Sequence, residues 1–128
     1  MSKRVSIEVP GLKHDNPIPA ACRIGPFLVS SGITPKDAEG KVAESLDAQC
    51  AQVFENLKTL LGAAGATPEQ VIKLTVYLKD RALRPHVNKF WVELFPDPHS
   101  RPARHTFSAP ELPDPQMVQM EVMAVLTE

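Results

Sequence analysis

Apolar and polar residues alternate with a period of two near the C-terminal end of the chain. Between Met117 and Leu126, the residues Val118, Met120, Val122, Ala124 and Leu126 share one face, and Gln119 and Glu121 share the other with Met117 and Met123. Successive side chains of a strand point to opposite faces, so the pattern predicts a strand with one apolar face. Val71 to Lys79 repeats it, with Ile72, Leu74, Val76 and Leu78 opposite Lys73, Thr75, Tyr77 and Lys79. Ala103 to Ser108 alternates as well, with Arg104, Thr106 and Ser108 on one face. Pro110, Pro113 and Pro115 follow it. Proline lacks the ladder donor, so these residues belong to a connection, and Ala103 to Leu126 is expected to fold as a hairpin. Ala20 to Ile24 and Phe27 to Ser31 flank Gly25-Pro26, a second hairpin signal.

Two stretches change to the helical period. Leu46, Cys50, Val53, Leu57, Leu60, Leu61 and Ala64 predict a helix capped by Ser45 and stopped at Gly65, with Gln52, Glu55, Asn56 and Lys58 left to solvent. Val87, Phe90, Trp91 and Leu94 predict a second helix from about Pro85 to Phe95. Thr67 to Gln70 reads as a turn or a short helical turn. Residues 1–15 read as an N-terminal extension or edge strand, because Val5, Ile7 and Val9 alternate before Pro10-Gly11. The order is strand–strand–helix–strand–helix–strand–strand in one domain, residues 1–128. Such an order packs most economically as an α+β fold, a mixed sheet with two helices on one face. The other sheet face holds Thr75, Tyr77, Met117, Met123 and Val125, which is too apolar to stay wet and predicts coverage by another copy of the chain.

Composition narrows the function. Apolar residues make up 43% of the 128, which excludes a disordered chain, and the net charge is −1. No basic run beyond Lys3-Arg4 supplies the footprint of a nucleic-acid binder, so nucleic acid is not an expected partner. No apolar leader and no stretch of membrane-spanning length occur, which leads to an expected cytoplasmic location with Cys22 and Cys50 as reduced thiols. The histidines show no metal-ligand spacing, and Ser30-Ser31 lacks a nucleophile elbow, so no metal and no cofactor is expected.

The candidate chemistry gathers on the predicted hairpin. A turn centred near residue 112 would set Arg104 opposite Gln119 or Glu121, with all three on one surface. A guanidinium beside an amide and a carboxylate suits a small carboxylate ligand, and it equally suits an ordinary cross-strand ion pair. Gly32, just after the second strand, allows close approach of a ligand or simply ends the strand.

Ser31-Gly32, Phe54 to Lys58, Ala63 to Ala66, Thr75 to Asp80, Val87-Asn88, Arg101 to Arg104 and Glu121 to Val125 together resemble the RidA (YjgF) family in order and spacing, over roughly residues 16–126. The resemblance implies a chorismate-mutase-like fold and a homotrimer with ligand pockets between subunits. It also implies hydrolysis of reactive enamines and imines, such as 2-aminoacrylate, to the keto acid and ammonia. Members also carry the labels endoribonuclease and translation inhibitor. Arg104 falls at the family's carboxylate-binding arginine, and Gly32 falls where backbone lines the pocket, with Asn88 and Thr106 near it. Ile18 stands in place of a pocket tyrosine, and Gln119 in place of a pocket glutamate. An amide orients water but cannot carry a proton near neutral pH. Glu121, two residues on, matches a second carboxylate of the family and is the candidate substitute, or a structural partner. An imino or keto acid held by Arg104, with water placed by Gln119, is the expected reaction partner; capture of a small carboxylate without turnover is the alternative.

Overall fold

The computed structural model describes residues 3–127. Six strands form one sheet: β1 (Val5–Ile7), β2 (Ala21–Ile24), β3 (Phe27–Ser30), β4 (Val71–Leu78), β5 (Ala103–Ser108) and β6 (Val118–Val125). Two helices accompany them, α1 (Leu46–Ala63) and α2 (Pro85–Leu94), with short 3-10 turns at Pro68–Gln70 and Arg81–Leu83. The strand order is β1-β2-β3-β6-β4-β5. Every pairing is antiparallel except β4 with β5, which is parallel, so the sheet is mixed.

Local chemistry explains the element ends. The Ser45 hydroxyl accepts from the Ala48 amide and caps α1, and Gly65 follows the helix at φ +76°, a backbone region that disfavours side chains. Ile24 pairs with Phe27 across a two-residue turn, as the Gly25-Pro26 signal predicts. Both helices pack on one sheet face. Cys50, Val53, Leu57, Leu60 and Leu61 of α1 lie against Leu74, Val76 and Leu78 of β4 and Val118, Met120 and Val122 of β6, in a single apolar cluster. Each large side chain buried there contributes about 1.5–3 kcal/mol.

Three sequence expectations are corrected. The hairpin from Ala103 to Leu126 does not exist, because β4 lies between β5 and β6 and pairs with both. The proline-rich connection, with a cis bond at Asp114-Pro115, crosses over β4 and does not turn tightly. Ile72 does not join the apolar face of β4. A register shift between Val71 and Lys73 leaves Ile72 half-exposed and turns Val71 inward. Asn56 is buried and not solvated. Its amide donates to the carbonyls of Thr34 and Lys36 at 2.9 and 2.7 Å, and its oxygen accepts from Gln52. Helical spacing cannot reveal such polar anchors, because they bind loop carbonyls distant in sequence.

The sheet face away from the helices carries Ile24, Phe27, Val29, Phe107 and Met123, all exposed, Phe27 at 63%. Tyr77 and Phe107 stack there with ring centres 5.8 Å apart.

Candidate functional site

The register decides where each candidate side chain goes. Arg104 is paired with Leu74, which is paired with Val122. Leu74 and Val122 are buried beneath the helices, so Arg104 projects to the helix side at the sheet edge. Gln119 is paired with Tyr77, and Tyr77 with Phe107, on the opposite face. Glu121 is paired with Thr75 and follows Gln119 on that opposite face. The expectation that Arg104, Gln119 and Glu121 share one surface is therefore overturned. It rested on a hairpin, and insertion of β4 with a different register reverses the face of Arg104.

On the helix side, Arg104 sits against α2. Its Nη2 donates to Asn88 Oδ1 at 2.7 Å. Its guanidinium carbon stands 5.0 Å from the centre of the Trp91 ring, a cation–π arrangement. Thr106, two residues along β5, is buried on the same side. None of the ion pairs among the described residues includes Arg104. Burial, and after it the charge of Arg84, pushes the guanidinium below its ordinary value, yet arginine stays protonated at any physiological pH. The result is a half-buried, oriented cation without a counter-ion among the described residues.

On the opposite face, Gln119 lies beside Gly32. A Cβ on Gly32 would stand 3.4 Å from Gln119 Oε1, so the glycine keeps that oxygen open. Gln119 Nε2 donates to Gln116 Oε1 at 2.7 Å, which fixes the amide and turns its oxygen toward the glycine. Glu121 accepts from the Tyr77 hydroxyl at 3.1 Å. The same contact, after burial, raises the Tyr77 pKa. Gly32, Gln119, Glu121, Tyr77 and Phe107 line an open cavity of about 560 Å³ that continues over Ser108 to Pro113. A neighbouring cavity of about 620 Å³ shares Gly32 and Gln119 and extends to residues 11–16.

The candidate residues thus form two groups. Arg104, Asn88 and Thr106 meet on the helix side; Gly32, Gln119 and Glu121 meet on the other. Ile18 joins neither: it is 45% exposed and lines neither cavity, its backbone N–H donating to Asn16. Sequence reasoning missed Gln116 and Trp91 as site residues. Trp91 was legible as a helix-face aromatic but not as a platform for Arg104. Gln116 sits in the proline-rich connection, where no periodicity operates. Among the described residues, no group of His, Cys, Asp and Glu could hold a metal ion, and no helix is long and apolar enough to cross a membrane.

The family model for Endoribonuclease L-PSP matches residues 12–127. The chain is 33% identical over 126 residues to a RutC family protein of Pyrococcus abyssi, covering 97% of this chain and 98% of that one. It is also 33% identical over 104 residues to the 2-iminobutanoate/2-iminopropanoate deaminase of Salmonella typhimurium, covering 80% and 81%. Its fold matches the crystal structure of RidA from the Antarctic bacterium Psychrobacter with a TM-score of 0.86 at 28% identity, covering 94% of this chain and 98% of that one. It matches the YjgF product of E. coli with a TM-score of 0.86 at 25% identity, covering 96% and 99%. The chain belongs to the RidA (YjgF) family.

Proposed function

We propose that the protein hydrolyses small reactive enamines or imines, such as 2-aminoacrylate, to a keto acid and ammonia, at pockets formed between copies in a homotrimer. The observation that carries this reading is Arg104. Its guanidinium is half-buried, aimed by Asn88 and Trp91, and paired with no carboxylate among the described residues. A planar fork of donors in that state fits a substrate carboxylate. The water-placing residues lie on the opposite sheet face of the same chain, so one copy lends Arg104, Asn88 and Thr106 and a neighbour lends Gly32, Gln119 and Glu121. The exposed apolar face supports that assembly, since it gives a second copy a surface to bury. Two free cysteines suit a reducing compartment, and a cytoplasmic location belongs to the same reading.

In this mechanism Arg104 fixes the carboxylate and so sets the imine carbon near the Gln119 oxygen. Gln119, held by Gln116, accepts a hydrogen bond from the attacking water. An enamine such as 2-aminoacrylate first gains a proton at its methylene carbon and loses one from nitrogen to become the imine. Water then adds across the C=N bond, and collapse of the carbinolamine, its hydroxyl proton passing to nitrogen, releases ammonia and leaves the keto acid. Glu121, which lines the same cavity as Gln119, can take and return a proton, although the Tyr77 hydroxyl already occupies one of its oxygens. Positioning therefore supplies most of the acceleration. Steady-state assay of 2-aminoacrylate with Arg104→Ala tests the assignment. Loss of a charge-assisted, two-pronged contact lowers kcat/KM by about 100-fold. Equal turnover in both proteins would refute it.

Gln119 favours a second reading, a pocket that captures small carboxylates without turnover. That reading expects keto acids to raise the melting temperature while imine hydrolysis stays at background.

A further inference from the structure

Arg84 is a second cation beside Arg104 that the proposed reaction does not use. It is the residue before α2, and its carbonyl accepts from the Asn88 amide at 3.0 Å, one helical turn on. Arg84, Asn88 and Trp91 therefore follow one another at i, i+4 and i+7, a single stripe of the helix. The other two members of that stripe are the residues that grip Arg104, so Arg84 extends the grip toward solvent. The turn carrying it is fixed at two points. Arg84 Nη1 donates to the Arg81 carbonyl at 3.1 Å, and the Arg81 amide donates to Ser108 Oγ at 3.0 Å, at the end of β5. Ser108 shares the sheet face of Arg104.

Two arginines, Arg84 and Arg104, thus border one spot, and none of the ion pairs among the described residues includes either. The proximity of Arg84 is felt electrostatically, as the second cause, after burial, that depresses the Arg104 guanidinium. Two like charges held together without an anion raise the free energy of the empty site, and a ligand bringing two negative groups relieves that repulsion.

We propose that Arg84 is a specificity residue which makes the site prefer substrates with a second anionic group, imino or enamino dicarboxylic acids, over simple monocarboxylic ones. The inference rests on the site proposed above and narrows its substrate class. One carboxylate lies on Arg104 beside Asn88, and the distal one meets Arg84 at the mouth.

Titration calorimetry on the full chain tests it with two probes, 2-oxobutanoate with one carboxylate and 2-oxoglutarate with two. The wild-type protein binds the dicarboxylate about tenfold more tightly, the worth of one added charge-assisted contact. In Arg84→Gln that ratio falls to about one, and Arg84→Lys, which keeps the charge without the fork, recovers part of it. Arg104→Gln weakens both probes. Equal affinities in the wild type, with both lost in Arg104→Gln, would overturn the role of Arg84 and leave the anion site standing. A preference that survives in Arg84→Gln would overturn it too. Binding of 2-oxobutanoate alone would likewise overturn the role of Arg84, and failure of both probes to bind the wild type, or binding indifferent to Arg104→Gln, would remove the site itself.

Discussion

Arg104 and Gln119 stand on opposite faces of one sheet, with β4 between their strands. A single copy cannot bring both to one small molecule through the layer of Leu74 and Val122. A reaction that needs both must take them from two copies. Replacing Phe27 and Met123 on the exposed face with aspartate puts charges where a partner would sit, away from the helix-side core. Desolvating them opposes association strongly. Light scattering at micromolar concentration is expected to show a trimer for the wild type and a monomer for the double variant, with circular dichroism unchanged. A monomeric wild type contradicts the assembly.

Gln119→Glu restores a group that can carry a proton at a position already held by Gln116. General acid–base help is worth about 10²–10⁴-fold, and a carboxylate that must also keep its tether to Gln116 should deliver the lower end. Turnover of 2-aminoacrylate is expected to rise by about 10²-fold. It should also acquire an acid limb, because protonating the new carboxylate removes the base. A pH–rate profile without that limb would mean that residue 119 does not act in proton transfer.

Gln49 is fully buried and ties the crossover to α1. Its amide donates to the carbonyls of Ala43 and Pro115 at 2.8 Å each, and its oxygen accepts from the Met117 amide at 2.7 Å. Gln49→Ala leaves those buried backbone groups without partners, which costs about 3 kcal/mol. Calorimetry is expected to show the melting temperature falling by roughly 10 °C. Because the crossover carries Gln116, turnover should fall as well, even at temperatures where the variant is folded.

Cys50 gives a pH prediction. Burial, and next the Asp47 charge, push its thiol from the ordinary 9.0 up to about 12, with Lys89 pulling the other way. The folded state therefore holds the proton over a range where the unfolded chain releases it. The associated stability is present below pH 9.0 and is lost as pH climbs toward about 12. At pH 8 iodoacetamide is expected to leave Cys50 unmodified in folded protein and to alkylate it in denaturant, as peptide mapping would show. Rapid alkylation in the folded state would contradict this burial.

The sequence made the strands and helices legible because each alternates or repeats around one apolar face, as at Val118 to Ala124 and Leu46 to Leu61. It also marked Arg104, Gln119 and Gly32 as candidates. It misplaced them relative to one another, because strand pairing is a non-local choice. Nothing in residues 103–126 indicates that β4 enters between β5 and β6. The polar anchors were hidden for a related reason. Asn56 read as a solvated residue and Gln49 and Gln116 drew no reading at all, because their partners are carbonyls, amides or side chains in loops that periodicity does not describe. The bulge at Ile72 inverted a face by one residue, which a period of two cannot foresee.

One ligand is expected to meet two copies of the chain. A crystal structure of the protein soaked with 2-oxobutanoate tests it most directly. The carboxylate is expected on Arg104 beside Asn88, with Gln119 and Gly32 of a neighbouring copy within hydrogen-bonding reach of the carbonyl carbon's substituents. An Arg104 side chain facing bulk solvent far from any second chain, or a ligand enclosed by residues of one chain alone, would contradict it.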